Sequence, residues 1–314
     1  MKQTPDLPRK RTLTIVLAAS CSISGCVSSD QAATATANFD HATRQLARSV
    51  SLLLKDANTT ETEHYIDAQA FEHAPLATSA IDSHQILTPA ELKLREDALE
   101  ALGRYTVSLA TLASGKPQAD LAKSADAASS SLQSLGTDMA KVSAPSNANA
   151  AGIIQAAVSA SEQVLLLIER RKSRDEIRSS LRSSEPAINA LLALLQQEST
   201  DLYARQRSTA DAELTLAMTE YNRAATEAAP DQILFDPAAR IKRARERQSR
   251  LLLSDPAPAF TAFTKAHNAL IAALIAPSSA DRNRLLNDLP GQVESFAGQA
   301  DSLARALDLN GAGA

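Results

Sequence analysis

The sequence predicts an all-α protein, an elongated antiparallel bundle of about seven to eight helices, some of them long and kinked. Three observations predict it. Apolar residues recur at steps of three and four through most of the chain, the spacing that places them on one helical face. No stretch sustains the alternation of β-branched or aromatic with polar residues that marks a strand. Aromatics are only 3% of the 314 residues and Trp is absent, so the core is expected to consist of Ala and Leu. Such thin packing suits helices lying close together.

The chain opens with Arg9-Lys10-Arg11, an apolar run from Leu13 to Ala19, and then Ile23-Ser24-Gly25-Cys26. A basic start, an apolar segment and small residues make a secretory signal. The apolar run is far shorter than the roughly 20 residues a membrane-spanning helix needs. An apolar residue, two small residues and a cysteine, in that order, resemble the lipobox of bacterial lipoproteins. The resemblance covers residues 1–27. It implies cleavage between Gly25 and Cys26, a diacylglyceryl thioether on the Cys26 sulfur and acylation of the new amino terminus, several chains together giving a stable anchor. Val27 stands where an aspartate would be associated with inner-membrane retention, so the resemblance favours the inner leaflet of an outer membrane, facing the periplasm.

Three segments follow from this: a signal over 1–25, the lipidated Cys26 with a short polar linker over 26–35, and one helical domain over 36–314. A subdivision, if present, falls near 230–236. Fully extended, residues 27–35 reach only about 30 Å, so the folded part is expected close to the bilayer. The first helix is expected over about 31–57, with Phe39, Leu46, Val50 and Leu53 on one face. Residues 58–88 are polar, with helix resuming near Tyr65–Phe71 and a loop between Pro75 and Pro89. Thr88-Pro89-Ala90-Glu91 is a helix start, because Thr88 and Glu91 complete a capping box and proline suits the first turn. Leu92, Leu99, Leu102, Thr106 and Leu109 form the stripe of this helix, which ends at Gly115 and Pro117. Leu121, Ala125, Ala128, Leu132, Leu135, Met139 and Val142 share one seam, predicting a hairpin of 88–115 with 117–143.

From about 147 the helical pattern is very long. Ile154, Ala157, Val164, Leu165 and Ile168 form one face, and Ile177, Leu181, Ile188, Leu192 and Leu195 extend it past Pro186, which should kink or start a helix. Residues 196–209 hold only Leu202 and Tyr203 as substantial apolar residues. Either the helix overhangs the bundle there or a turn lies within it. Ala210, Leu214, Met218, Tyr221 and Ala225 resume a stripe. Asp236-Pro237 is expected to cap a basic helix that runs to about Ser254. Pro256 and Pro258 open the next, with Phe260, Phe263, His267, Leu270 and Leu274 on one face. The last helix starts near Ser279 and carries Leu286, Leu289, Val293, Phe296, Ala300, Leu303 and Leu307, with a bend at Pro290-Gly291.

Composition narrows the function. The whole chain has a formal charge of −4. The signal removes four basic residues and one acidic residue, leaving −7, which argues against nucleic-acid binding. Cys21 leaves with the signal and Cys26 is the lipid site, so no disulfide and no free thiol are expected. There is no Gly-x-Ser-x-Gly elbow and no Gly-x-x-x-x-Gly-Lys phosphate loop. His41, His64, His73 and His84 have acidic neighbours, but their spacing matches no metal-ligand motif. No metal, cofactor or catalytic residue is therefore assigned. His267 is read as a core histidine bonded to a backbone or hydroxyl partner.

Two basic clusters stand out. The first is Arg170, Arg171, Lys172, Arg174, Arg178 and Arg182. In the second, Arg240, Arg243, Arg247 and Arg250 recur at three and four, which puts them on one helical stripe. Guanidinium groups so arranged are candidate contacts for anionic lipid or glycan groups. A solvated face balanced by nearby acids is the other reading. Tyr203 and Tyr221, with Leu202 and Met218, could meet a partner helix or pack within the chain.

The expectation is a non-enzymatic, lipid-anchored envelope protein acting as a scaffold or interaction module, its partner an envelope protein, peptidoglycan or anionic lipid. The alternative is a binding protein for a small apolar or lipid-like ligand between helices. An enzyme is the third reading, which a cleft gathering two or more carboxylates and a histidine would revive.

Overall fold

The computed structural model describes residues 23–114, 145–169, 173–226 and 231–311. Among them are eight helices and no strand: α1 (Ile23–Phe71), α2 (Thr78–Ser83), α3 (Pro89–Ser114), α4 (Pro145–Glu169), α5 (Arg174–Thr226), α6 (Asp231–Leu251), α7 (Ala257–Ile275) and α8 (Ser279–Gly311). The expected seam over 121–142, and with it the hairpin of 88–115 with 117–143, lies outside the described residues.

Capping residues set several helix starts. The Thr88 N–H donates to Glu91 Oε2 at 2.8 Å and the Glu91 N–H donates back to Thr88 Oγ1 at 3.3 Å, the reciprocal pattern expected from the sequence. The same box opens α5, where Ser173 N–H donates to Glu176 Oε2 and Glu176 N–H to Ser173 Oγ. Its Ser-x-x-Glu signal is present in the sequence at the point where the long pattern from 147 divides. Asp281 N–H donates to Ser278 Oγ at the start of α8. Asp255 Oδ1 accepts from Ala257 N–H ahead of α7.

Several boundaries differ from expectation. α1 is one continuous helix from Ile23 to Phe71, in place of an extended linker over 26–35, a helix over 31–57 and a break after it. Ala35 and Thr36 are already buried, so the bundle begins inside the expected linker. Beyond 57, polar partners carry the helix where apolar periodicity fades. The Asn58 side-chain amide exchanges two hydrogen bonds with the Leu87 backbone, at 2.7 and 2.9 Å. Glu61 accepts from Arg205 of α5. His73, with a φ of 54°, turns the chain out of α1 in the left-handed conformation common just past helix ends. α2 occupies the expected loop between Pro75 and Pro89.

α5 runs through Pro186 and through 196–209 without a turn, for 53 residues, or about 80 Å. It overhangs nothing at 196–209, because Glu198, Ser199, Leu202 and Gln206 all pack toward α1 or α3 or are buried. α6 begins at Asp231, so Pro237 lies inside it and Asp236-Pro237 is not its cap. Pro237 is the seventh residue of α6, beyond the amides a helix leaves unpaired at its start, so α6 forgoes one interior hydrogen bond there. Pro290 likewise lies inside α8.

α1 sits against α3, α5 and α8; α4 packs on α3 and α5; α7 packs on α8 and α5; α6 folds back along α5. Cross-contacts give the directions. Ser51 and Asn58 of α1 meet Glu96 and Leu87 around α3 in reverse order, so these helices are antiparallel. Asp211, Glu213 and Glu220 of α5 meet Gln248, Arg247 and Arg240 of α6 in reverse order.

The core stripes foreseen on α1, α7 and α8 are buried except for the partly buried Leu274 and Leu286, and so are Leu99, Leu102, Thr106 and Leu109 of α3 and Leu181, Ile188, Leu192 and Leu195 of α5. The stripe proposed at 210–225 is not: Met218 and Tyr221 are exposed, and only Ala210 is buried among its members. Ala and Leu dominate the interior, but the few aromatics gather. Phe39, Phe260, Phe263, Phe296 and Tyr105 are each at most 1% exposed.

Candidate functional site

The C-terminal part of α1, the C-terminal half of α5 and the arginine face of α6 enclose a groove of about 710 Å³. Six carboxylates and four guanidinium groups line it. The four arginines are those of the predicted stripe. Arg240 Nη1 donates to both carboxylate oxygens of Glu220, at 3.3 and 3.1 Å. Arg247 bridges two helices: its Nη1 donates to Glu213 of α5 at 2.7 Å and its Nη2 to Glu63 of α1 at 2.9 Å. Arg243 is exposed and makes no ion pair among the described residues. Arg250 stands near Asp56 with its buried Nε unpartnered.

The stripe therefore faces acids on other helices as well as solvent. Those acids, Glu220, Glu213 and Glu63, lie far off in sequence and are not the adjacent acids of the stripe's own helix. A signal was nonetheless present. Arg240 and Arg247 are seven residues apart, as are Glu213 and Glu220, and two helices with matching two-turn charge spacing are complementary when antiparallel.

Beneath the groove, Gln206 is 2% exposed. Its Nε2 donates to Asp56 Oδ2 at 2.8 Å, while its Oε1 has no partner. Burial raises the pKa of Asp56, and Arg247 opposes that only in part. Burial likewise raises Glu213 despite its bond to Arg247. Desolvation disfavours a charge, and both carboxyls register it even with arginines beside them. His64 is nearby with a buried, unpartnered Nδ1. A carboxylate-rich cleft beside a histidine carries the raw material of acid–base chemistry. Here Glu63, Glu213 and Glu220 are engaged by guanidinium groups and Asp56 by an amide. The arrangement is built to hold charged groups.

The other candidates are spread through the fold. Cys26 and Gly25 lie in the first turn of α1, with their side chains outside the described residues. Arg178 donates to the Ala276 carbonyl at 3.2 Å and to Asp175, closing the C-terminus of α7. Arg182 is exposed. Arg170, Arg171 and Lys172 lie outside the described residues. His41 and His73 are exposed, and His84 stacks on Tyr65 with ring centroids 3.6 Å apart. Among the described residues, no group of three His, Cys, Asp or Glu side chains is placed to hold a metal ion. Tyr203 is half-buried beneath Arg207.

His267 is fully buried, 3.2 Å from the Tyr105 hydroxyl through Nε2 and stacked on Phe263. Burial lowers its pKa from 6.5 to about 4. The folded protein thus keeps it neutral where the unfolded chain would protonate it. Stability from this residue is full above about pH 6.5 and is lost as pH falls toward 4. Lowering the pH from 7 to 4.5 should cost about 2–3 kcal/mol through His267 alone. Urea unfolding of the wild type and of His267→Gln at the two pH values isolates it: the variant should lose that much less on acidification. Equal losses would contradict the assignment.

Fold and groove together define a helical-bundle protein with a charged cleft between three helices. No protein-family model, curated protein or solved structure matches the chain.

Proposed function

We propose that the chain is a lipid-anchored, periplasm-facing envelope protein that acts as a non-enzymatic scaffold or interaction module, held by acyl chains on Cys26 at the inner leaflet of the outer membrane. The observation that carries this reading is the Ile23-Ser24-Gly25-Cys26 sequence at the head of the helix that becomes one wall of the groove. Asp56 follows Cys26 by thirty helical residues, a rise of about 45 Å. A protein tethered at Cys26 would thus display the groove well away from its anchor, where a partner in the periplasm can reach it. A largely filled Leu, Ala and Phe interior fits a rigid body of this kind.

A second reading, binding of a small apolar or lipid-like ligand, draws on a different feature. A shallow depression of about 380 Å³ lies between α1 and α3, with Ala47, Leu99, Gly103 and Val107 in its lining.

Fractionation tests the anchor. The wild-type chain should sediment with membranes and Cys26→Ser should move to the soluble fraction. A wild-type chain found soluble and unacylated would overturn the anchoring. Crosslinking followed by co-purification of the acylated protein tests the scaffold, and the absence of any reproducible partner would overturn that part.

A further inference from the structure

We infer that the α1–α5–α6 groove is a recognition site for an extended, mixed-charge peptide segment of a partner protein. The inference rests on the scaffold reading and names the chemistry of what the scaffold would hold.

Three observations carry it. First, among the described residues the groove keeps charges of both signs without ion-pair partners: Arg243 and Arg250 on the basic side, Asp67 and Glu246 on the acidic side. A polyanion would meet the six carboxylates, and a polycation would meet four guanidinium groups, two of them without an ion pair among the described residues. A segment bearing both signs satisfies the two sets at once, and opposite charges placed across an interface steer encounter and fix register.

Second, the two orphaned groups beside Asp56 are an acceptor, Gln206 Oε1, and a donor, Arg250 Nε. Buried polar atoms are normally paired, and each one left without a partner has a substantial cost. A peptide unit offers one N–H and one C=O, which is what this pair lacks. A lipid phosphate offers acceptors only. Gln206 is almost completely buried, so a modest opening of the groove floor accompanies the contact.

Third, the groove is long enough. Its lining on α1 runs from Asp56 to Asp67, about 17 Å along the helix axis. At 3.3 Å per residue that is the length of about five extended residues.

The test is to pan a random octapeptide display library on the detergent-solubilised full chain. Enriched sequences should combine acidic with basic residues. Synthetic versions should bind at least tenfold more weakly to Arg243→Glu and to Asp67→Lys. Neither side chain makes an ion pair among the described residues, so both variants should unfold at the wild-type temperature, which is measured in parallel. The inference is overturned if no sequence is enriched, if enriched sequences carry charge of one sign only, or if their affinity is unchanged in both variants. It is also overturned if phosphatidylglycerol vesicles compete with the peptides for the groove, which would make it a headgroup site. A failed panning alongside a crosslinked partner mapped to another face would sink the groove and leave the scaffold standing.

Discussion

Glu198→Ala should lower the stability of the bundle by about 3 kcal/mol, the low end of the range for breaking a buried ion pair from one side, because the Glu198 side chain is 21% exposed. Glu198 of α5 receives two hydrogen bonds from Arg95 of α3, Nε at 2.8 Å and Nη2 at 2.6 Å. The Arg95 side chain is 3% exposed and its Nη1 donates to the Glu91 carbonyl one turn back. The planar, two-pronged geometry, with the Glu91 carbonyl, gives each guanidinium nitrogen an acceptor. Removing the carboxylate leaves the nearly buried Arg95 charge without its partner. Most of the loss is therefore the penalty of an uncompensated cation, and the double variant Arg95→Met with Glu198→Leu should recover most of it. Urea denaturation of the two single variants and the double variant gives the coupling. If Glu198→Ala costs under 1 kcal/mol, or if the double variant costs as much as the two singles summed, Arg95 is not held as described.

Phe263→Ala should cost about 3–5 kcal/mol, from lost transfer energy and from the cavity left behind. Phe263 of α7 is 0% exposed. Its ring centroid lies 5.3 Å from that of Phe39 in α1 and 5.2 Å from that of Phe296 in α8, the latter edge-to-face at 88°. His267 stacks on it from one turn along. One side chain therefore joins three helices, and α1, α7 and α8 have no disulfide to replace it. Phe235→Ala is the internal control. Phe235 is 72% exposed, and a surface truncation of this kind should stay within about 0.5 kcal/mol. A Phe263→Ala midpoint indistinguishable from that of Phe235→Ala would show that the aromatic cluster does not hold the three helices together.

Much of the fold was legible because apolar burial leaves a periodic trace. Phe39, Leu46, Val50 and Leu53, or Leu289, Val293, Phe296 and Ala300, repeat at helical spacing and are buried together. Caps with two matched residues, such as Thr88 and Glu91, were readable for the same reason: both partners lie within one turn. The stretches that misled were those stabilised by polar partners remote in sequence. Residues 58–64 read as a polar break between helices, and 196–209 as an overhang or a turn, because apolar periodicity lapses there. In the fold Asn58 binds the Leu87 backbone, Glu61 binds Arg205 and Gln206 binds Asp56. Apolar periodicity does not register an interface built from such pairs.

The groove shows the same division. Its four arginines could be read as a stripe from their spacing, since a helix of known period fixes which residues share a face. Their partners could not, because Glu63, Glu213 and Glu220 lie 20 to 184 residues away along the chain. By itself the sequence determined the helical class, the apolar seams, the caps and the lipobox-like start, all of them properties of residues within a few turns of one another. Only the tertiary structure decided which helices adjoin, where two long helices continue through polar sequence, and that an arginine stripe closes over carboxylates. Coulomb forces and hydrogen bonds act between groups that folding brings within a few ångströms, whatever their separation in sequence.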